Sequence, residues 1–336
     1  MENWNGAVLC KEARQLSRGE DKRKLSAIHA GITAGVALVI TLAQYLLAAG
    51  IDKTGGLSGM GMRSILQTAA TFLNSANTIL MPFWNLGFFF AALLWVRQQR
   101  AEPGDLLQGF RRFGPALRLW LTKALLVFCM IMVCAYIASF AFMATPWAAP
   151  ITEFAQEAGM DLAKADAMMN RMDGAQINAL LQSLIPMLVI WGALFLVLAV
   201  PVLYKLRMAE YMILDQKAGA VAAMLISARM LRKRCWKLFL LDLRFWWYYT
   251  LEVLCLLIYC ADLWLPMLGI PIPQNEGVVL GLYVLYLVAL FGVHTLLRPR
   301  VQTAYAMVYE HLRQAEPVLP KTRPQPDPKT LPWDPQ

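Results

Sequence analysis

Six runs of apolar residues, each long enough to matter, divide the chain: 28–50, 74–96, 119–144, 181–204, 244–265 and 277–297. A helix rises 1.5 Å per residue, so about 20 apolar residues cross a hydrocarbon core of ~30 Å. In lipid every backbone N–H and C=O must be paired internally, which leaves helices or closed barrels. Alternating ten-residue strands are absent, so the pattern predicts an all-α, polytopic transmembrane bundle of six spans. The second span begins somewhere between Ser64 and Asn77. The fifth run extends back to Trp236 and is too long to be all membrane. Counting back from Pro266 places Asp242 and Arg244 at its inner interface and leaves Glu252 inside.

The polar segments between the runs carry patterns of their own. In the arm 1–27, Val8, Leu9, Ala13 and Leu16 fall at helical spacing with Lys11, Arg14 and Arg18 elsewhere, which suits a short helix on the inner membrane face or a frayed, solvated arm. The segment 150–182 places Phe154, Ala158 and Leu162, then Ala165, Met168, Met169 and Met172, ahead of an Asp173-Gly174 turn. It reads as two short helices in an external loop, the methionines packing rather than binding a metal. The segment 205–237 sets Met208, Met212, Ile213, Val221, Met224, Leu225, Ala228 and Leu231 against Arg229, Arg232, Lys233 and Arg234. Such a basic amphipathic segment is attracted to anionic headgroups, or simply carries topology charge without a ligand. In 301–313, Val301, Ala304, Tyr305, Val308 and Leu312 share one face, another interfacial helix. Seven of the last twenty residues are proline, so 314–336 reads as an extended, proline-rich tail. The membrane domain is therefore 28–313.

Charge then orients the bundle. The segments facing one side (1–27, 97–118, 205–237 and 298–336) hold 25 Lys and Arg, and the three opposing segments hold 4. The positive-inside rule is satisfied in every loop and puts both termini in the cytoplasm. The net charge of +9 is thus a topology signal and gives no reason to invoke nucleic acid. Composition agrees: 53 charged residues is far below the roughly 84 of a soluble chain this long, and a 58% hydrophobic content excludes a soluble enzyme, a disordered chain and a disulfide scaffold. The 27 polar residues before the first run are too long for a signal-peptide n-region, so the first helix should stay as an anchor.

Candidate chemistry is thin. The six cysteines form no CxxC pair and read as small buried hydrophobes. His29, His294 and His311 share no ligand spacing, the glycine-rich 55–61 lacks a phosphate-loop ending, and neither GxSxG nor HExxH occurs. No cofactor or metal is implied and the chain reads as non-enzymatic. Polar groups inside spans remain: Asn74, Thr78 and Asn85 on one face of the second, and Tyr248, Glu252, Cys255, Tyr259 and Asp262 as one stripe along the fifth. Asn85, near mid-bilayer by residue count, and Glu252 are the candidate intramembrane polar sites, either lining a path or bonding helix to helix. Gly31-Ile-Thr-Ala-Gly35 permits close packing of the first span. His294 and Lys123 lie near inner ends, where they can snorkel.

Certain residues form a recognisable set: Tyr204 to Asp215 with Tyr211 inside it, Ser227, Trp236-Lys-Leu-Phe leading to Asp242, Ala304 to Tyr309 and Leu312, and Leu106-Leu-Gln-Gly-Phe-Arg-Arg-Phe113. This pattern resembles a bacterial integral-membrane family catalogued as domain of unknown function 975. It covers the chain from about Arg97 onward and, more faintly, Cys10 to Arg18. Lys233 stands where Gly is usual, Arg244 where Ser is usual, and Trp247-Tyr248 where Gly-Trp is expected. The resemblance implies a multi-pass protein of the bacterial plasma membrane. It puts the motif positions Tyr211, Asp215, Ser227, Trp236, Asp242 and Tyr309 at the cytoplasmic interface, and it implies no activity. The leading reading is a scaffold or a small-solute or lipid-handling component, with the lipid bilayer and its anionic inner headgroups as partners. The alternatives are a transporter lined by Asn85 and Glu252, and a lipid-headgroup enzyme using Asp215 and Asp242.

Overall fold

The computed structural model describes residues 5–53, 60–159, 166–168, 172–265 and 276–315, and among these every regular element is helical. Most of the glycine-rich turn (54–59), the external stretches 160–165 and 169–171 with Leu162, Ala165 and Met169, the segment 266–275 and the proline-rich tail from 316 lie outside the described residues. Five stretches are long and apolar enough to cross a membrane: Glu20–Leu47, Ser64–Val96, Phe113–Met143, Gln182–Gln216 and Gly277–Leu296. Where a sixth was expected, the chain instead forms α11 (Trp246–Tyr259), a break at Cys260, and the single turn α12 (Ala261–Trp264).

The chain divides into two compact units, 118–207 and the remainder. The smaller unit holds most of α5 (Phe113–Met143), then α6 (Ala149–Ala158) and α7 (Gly174–Lys205). The Asp173-Gly174 pair, expected as a turn, opens α7 instead. Asp173 Oδ1 accepts the Gln176 amide at 2.7 Å while Gln176 Oε1 accepts the Asp173 amide at 3.1 Å, a reciprocal cap that satisfies two otherwise orphaned donors. Phe128, Tyr136, Phe140, Leu188 and Val197 are exposed along these helices, apolar surface that water would not stabilise. Cys129 is exposed too, contrary to the buried role expected of it.

The larger unit has two levels. In the first, α2 (Glu20–Lys53), α3 (Met60–Val96), α11 and α13 (Glu276–Leu296) pack side by side. The close approach expected at Gly31 and Gly35 is absent: an added Cβ on Gly31 would make only ordinary contact with the Phe291 ring at 3.7 Å, and one on Gly35 would meet nothing within 4 Å. In the second, α14 (Arg298–Ala315) lies against α1 (Gly6–Leu16), α2, α3 and α13, and α8 (Ala209–Gln216) packs between α3 and α9 (Ala220–Leu231). α10 (Cys235–Arg244) completes the level.

The expectation of an interfacial helix at 301–313 is overturned. Val301 and every residue from Thr303 to Tyr309 are buried, so α14 is a core helix packed on nearly all sides. Its run of Thr, Ala, Tyr, Met and Val is small or apolar on every face, which a one-face reading of its spacing overlooks. The arm is likewise neither frayed nor bare: Leu9 and Ala13 of α1 are buried, and the α1 amide of Ala7 is capped by Asn5 Oδ1 at 2.9 Å. The inner end of α3 is enclosed as well. Phe83, Phe88, Ala91, Ala92 and Leu93 have no exposed surface, an environment of protein rather than lipid.

One contact in this level is backbone against backbone. The 3-10 turn Pro103–Leu107 and α4 (Gln108–Arg111) cross α3 at Gly87 and Gly109. A Cβ on Gly87 would sit 1.7 Å from the Leu106 carbonyl oxygen, and one on Gly109 would sit 1.9 Å from that of Phe83. Phe110 and Phe113 then close over Phe83, with ring centroids at 6.1 and 4.6 Å. The Gly-Phe-x-x-Phe motif thus has a steric reason for each position. Gly87→Ala and Gly109→Ala should each lower stability by about 1–3 kcal/mol or more, the range for overpacking. Gly104→Ala and Gly114→Ala, which meet nothing within 4 Å, should be neutral; thermal unfolding in mild detergent compares the four.

Candidate functional site

The polar side chains of the larger unit gather into three networks. The first closes a ring of alternating charge where α3, α8 and α14 meet. Arg97 Nη1 binds Asp215 at 2.8 Å and its Nη2 binds Glu310 at 3.1 Å. Arg313 binds the other oxygens of both acids, Asp215 at 3.4 Å and Glu310 at 2.6 Å. Tyr309 donates to Asp215 at 2.9 Å. Its ring stacks on Tyr211 at 5.3 Å, which stacks in turn on Phe89 at 5.7 Å. The hydrogen bond to Asp215 holds the Arg97 pKa above its ordinary value. Burial, then the Asp215 charge, raises that of the Tyr309 phenol.

The second network is smaller. Tyr305 of α14 donates to Asp242 of α10, and the Tyr249 and Tyr305 hydroxyls lie 2.8 Å apart. Nearby, the Ser227 hydroxyl of α9 accepts the Met208 amide at 3.1 Å, capping the start of α8 from outside that helix. Asp215 and Asp242 are therefore engaged by different side chains. Trp236 joins neither network; it is 68% exposed and stacks on Phe239 at 5.1 Å. Of the six motif positions, the structure brings Tyr211, Asp215 and Tyr309 together, ties Ser227 to the same helix α8, pairs Asp242 with α14, and leaves Trp236 outside.

The third network lies at the join of the two levels. Glu252 Oε1 is 3.0 Å from His294 Nε2 and also accepts the Tyr248 hydroxyl. Arg298 donates to Asn85 Oδ1 at 2.8 Å, stacks its guanidinium over Phe88 at 5.4 Å, and lies close enough for its charge to act on Glu252. Asn85, expected near mid-bilayer by counting, thus pairs with the first residue of α14, and the His294 ring is taken by Glu252. His29 is buried between Trp84 and Phe88, with ring centroids at 5.1 and 4.7 Å.

Above this network a cavity of about 350 Å³ opens between α2, α3, α11 and α13. His294 lies on its wall, as do Thr33, Asn77 and the tyrosines 259, 283 and 286, among aliphatic side chains. The three tyrosine rings lie 5.6–5.9 Å apart. Asn77 Oδ1 is buried without a hydrogen-bond partner, an acceptor left for something else. Asn85 and Glu252 are not on the wall; His294 takes the place expected of them. Among the described residues, no group of three or more His, Cys, Asp or Glu side chains is placed to hold a metal ion.

Arg97, Arg298, Glu310 and Arg313 are central here and did not stand out in the sequence. Each follows or sits beyond an apolar run, where a basic residue ordinarily marks topology. The one available signal was the four-residue step from His294 to Arg298, which puts both on one helical face beside the polar stripe of α11.

Among known proteins, the chain matches the family model described as Protein of unknown function (DUF975) over residues 11–316. No curated protein and no solved structure matches it.

The charge ring makes a direct prediction. Asp215→Asn leaves Arg97 and Arg313 facing one another, so it should destabilise by about 3 kcal/mol, toward the low end for breaking a buried pair because Arg97 is partly solvated. Adding Arg97→Gln should cost less than the sum of the two single changes, with a coupling of about 1 kcal/mol or more. A double-mutant cycle on thermal midpoints reads both.

Proposed function

The chain belongs to the DUF975 family of proteins of unknown function, and on that premise we propose a non-enzymatic, multi-pass protein of the bacterial plasma membrane that takes a small solute into the cavity above His294. The cavity is the observation that carries this reading. Its volume of about 350 Å³ lies in the range of small-molecule sites, and such sites combine apolar walls with a few convergent polar groups. Here those groups are His294, Asn77 and the tyrosines. Ionisable residues among membrane helices are costly and commonly mark solute or proton paths. Glu252, hydrogen-bonded to His294 behind the wall, would position that imidazole.

Six crossings and cytoplasmic termini belong to the same proposal. α11 and α12 together run over about 19 residues, or ~28 Å, close to the core thickness. The excess of Lys and Arg on alternate segments supports the orientation. On this topology α10 lies at the inner surface. Its exposed Trp236, Phe239 and Leu243 would dip into the leaflet, with Lys233 and Lys237 reaching anionic headgroups.

Two experiments test this. On a background lacking the six native cysteines, Ala34→Cys on the cavity wall should react with a small charged thiol reagent about tenfold faster than Val39→Cys, which faces outward on α2, because the thiolate needs water. Equal rates, or an inert Cys at position 34, would remove the solute reading. Reporter fusions after Gly56 and Gln156 should report outside and one after Gln216 inside; any other pattern would refute the topology.

A further inference from the structure

Most basic residues of the larger unit have acidic partners or stand alone, but four arginines gather without one. Arg14 lies in the last turn of α1 and Arg18 just beyond it, Arg23 in the first turns of α2, and Arg300 in the first turn of α14. Gly19, whose φ is +150°, forms the short connection between α1 and α2. α14 packs against both helices, and Arg14, Arg18 and Arg23 are all near enough for their charges to act on Arg300 at its start. Arg14, Arg18 and Arg23 are exposed and Arg300 is half-buried.

Among the described residues, no ion pair neutralises them. The neighbouring Glu20 is held by Lys24 at 2.7 Å, and Asp21 lines a separate cavity with Lys22 and Arg100. Burial lowers the Arg300 pKa, and the charges of Arg14, Arg18 and Arg23 lower it further. Like charges held together in this way repel, and only an anion from outside the chain offsets that repulsion.

Their height in the molecule narrows the choice of anion. Ser26 Oγ donates to the His294 carbonyl at 3.1 Å, pinning α2 to the end of α13. Arg23 precedes Ser26 by three residues, ~4.5 Å along the helix, and Arg300 follows the end of α13. On the topology proposed above, on which this inference rests, all four guanidinium groups stand at the level of the inner headgroups.

We propose that Arg14, Arg18, Arg23 and Arg300 form a binding site for the phosphate headgroup of an anionic lipid of the inner leaflet. Guanidinium forks bind phosphate oxygens two at a time, so a phosphomonoester or a two-phosphate headgroup fits the four-fold donor set better than a zwitterionic one.

The full chain in mild detergent, titrated with phosphatidic acid, with phosphatidylcholine or with inorganic phosphate, tests the site through its thermal midpoint. Phosphatidic acid should raise the midpoint of the native protein, and the other two should not. R14Q/R18Q/R23Q, which alters only exposed side chains, should keep a lipid-free midpoint at or above the native value. It should need about tenfold more phosphatidic acid for the same rise. R300Q alone should shift the titration in the same direction, while R111Q/R112Q, at positions remote in sequence from the four arginines and assigned to no site, should leave it unchanged. An unaltered response in both arginine variants would overturn the site, and an equal rise with inorganic phosphate would overturn its assignment to lipid. Binding in detergent does not depend on orientation, so a wrong topology would appear in the reporter fusions and leave this titration untouched.

Discussion

Helix α14 has no free side, and the arrangement of the larger unit follows from that. From Thr303 to Tyr309 each side chain is buried, against α1, α2, α3 and α13 together with the groups on α8 and α10 that hydrogen-bond to it. Burying a helix all round removes much apolar surface from water, but it also strands every polar atom that the helix carries. The tyrosines, the charged ring and Asp242 answer most of that cost, while Thr303 Oγ1 stays buried without a hydrogen bond. Tyr305 finds Asp242, Tyr309 finds Asp215, and Glu310 and Arg313 close on Arg97. Polar satisfaction therefore dictates which neighbouring helices can stand where, and apolar packing fills the space between.

The same logic separates the two kinds of residue that sequence motifs mix together. Tyr211, Asp215, Ser227, Asp242 and Tyr309 are fixed by partners inside the protein and hold the second level to the first. Trp236 has a different environment, exposed beside Phe239 on a helix with a basic flank. The cavity is a third case, since its wall draws on residues outside those motifs. Structural upkeep and any solute chemistry are thus carried by different side chains.

The sequence made the helices legible because lipid-facing surfaces leave long apolar runs: 119–144, 181–204 and 277–297 coincide closely with apolar helices. It misled wherever an apolar run served protein instead. Residues 83–93 of α3 look like membrane and are wrapped by other helices. Residues 303–309 look half-exposed and are enclosed. Apolarity alone cannot tell lipid from protein as the covering medium, and the partner that Asn85 finds in Arg298 could not be read from it. The charged partners were hidden for a related reason. Arg97 and Arg298 occupy positions where basic residues normally face the cytoplasm, and only the return of α14 beside α3 and α13 turns them inward. Glu252 and Asp215 were visible as unusual carboxylates; who would meet them depended on contacts far apart in the chain.

The place of α14 in chain order carries a consequence for biogenesis. It follows every apolar helix, yet α1 at the other extreme packs against it. α1 must therefore wait, with Leu9 and Ala13 uncovered, until the apolar helices between it and α14 have been made. Contacts of such long sequence separation form late and leave partly assembled states exposed. On the topology proposed above, insertion and closure become separate events in the life of the molecule: the apolar helices can enter the bilayer while the second level is still open, and a chain interrupted before α14 would carry that level unassembled.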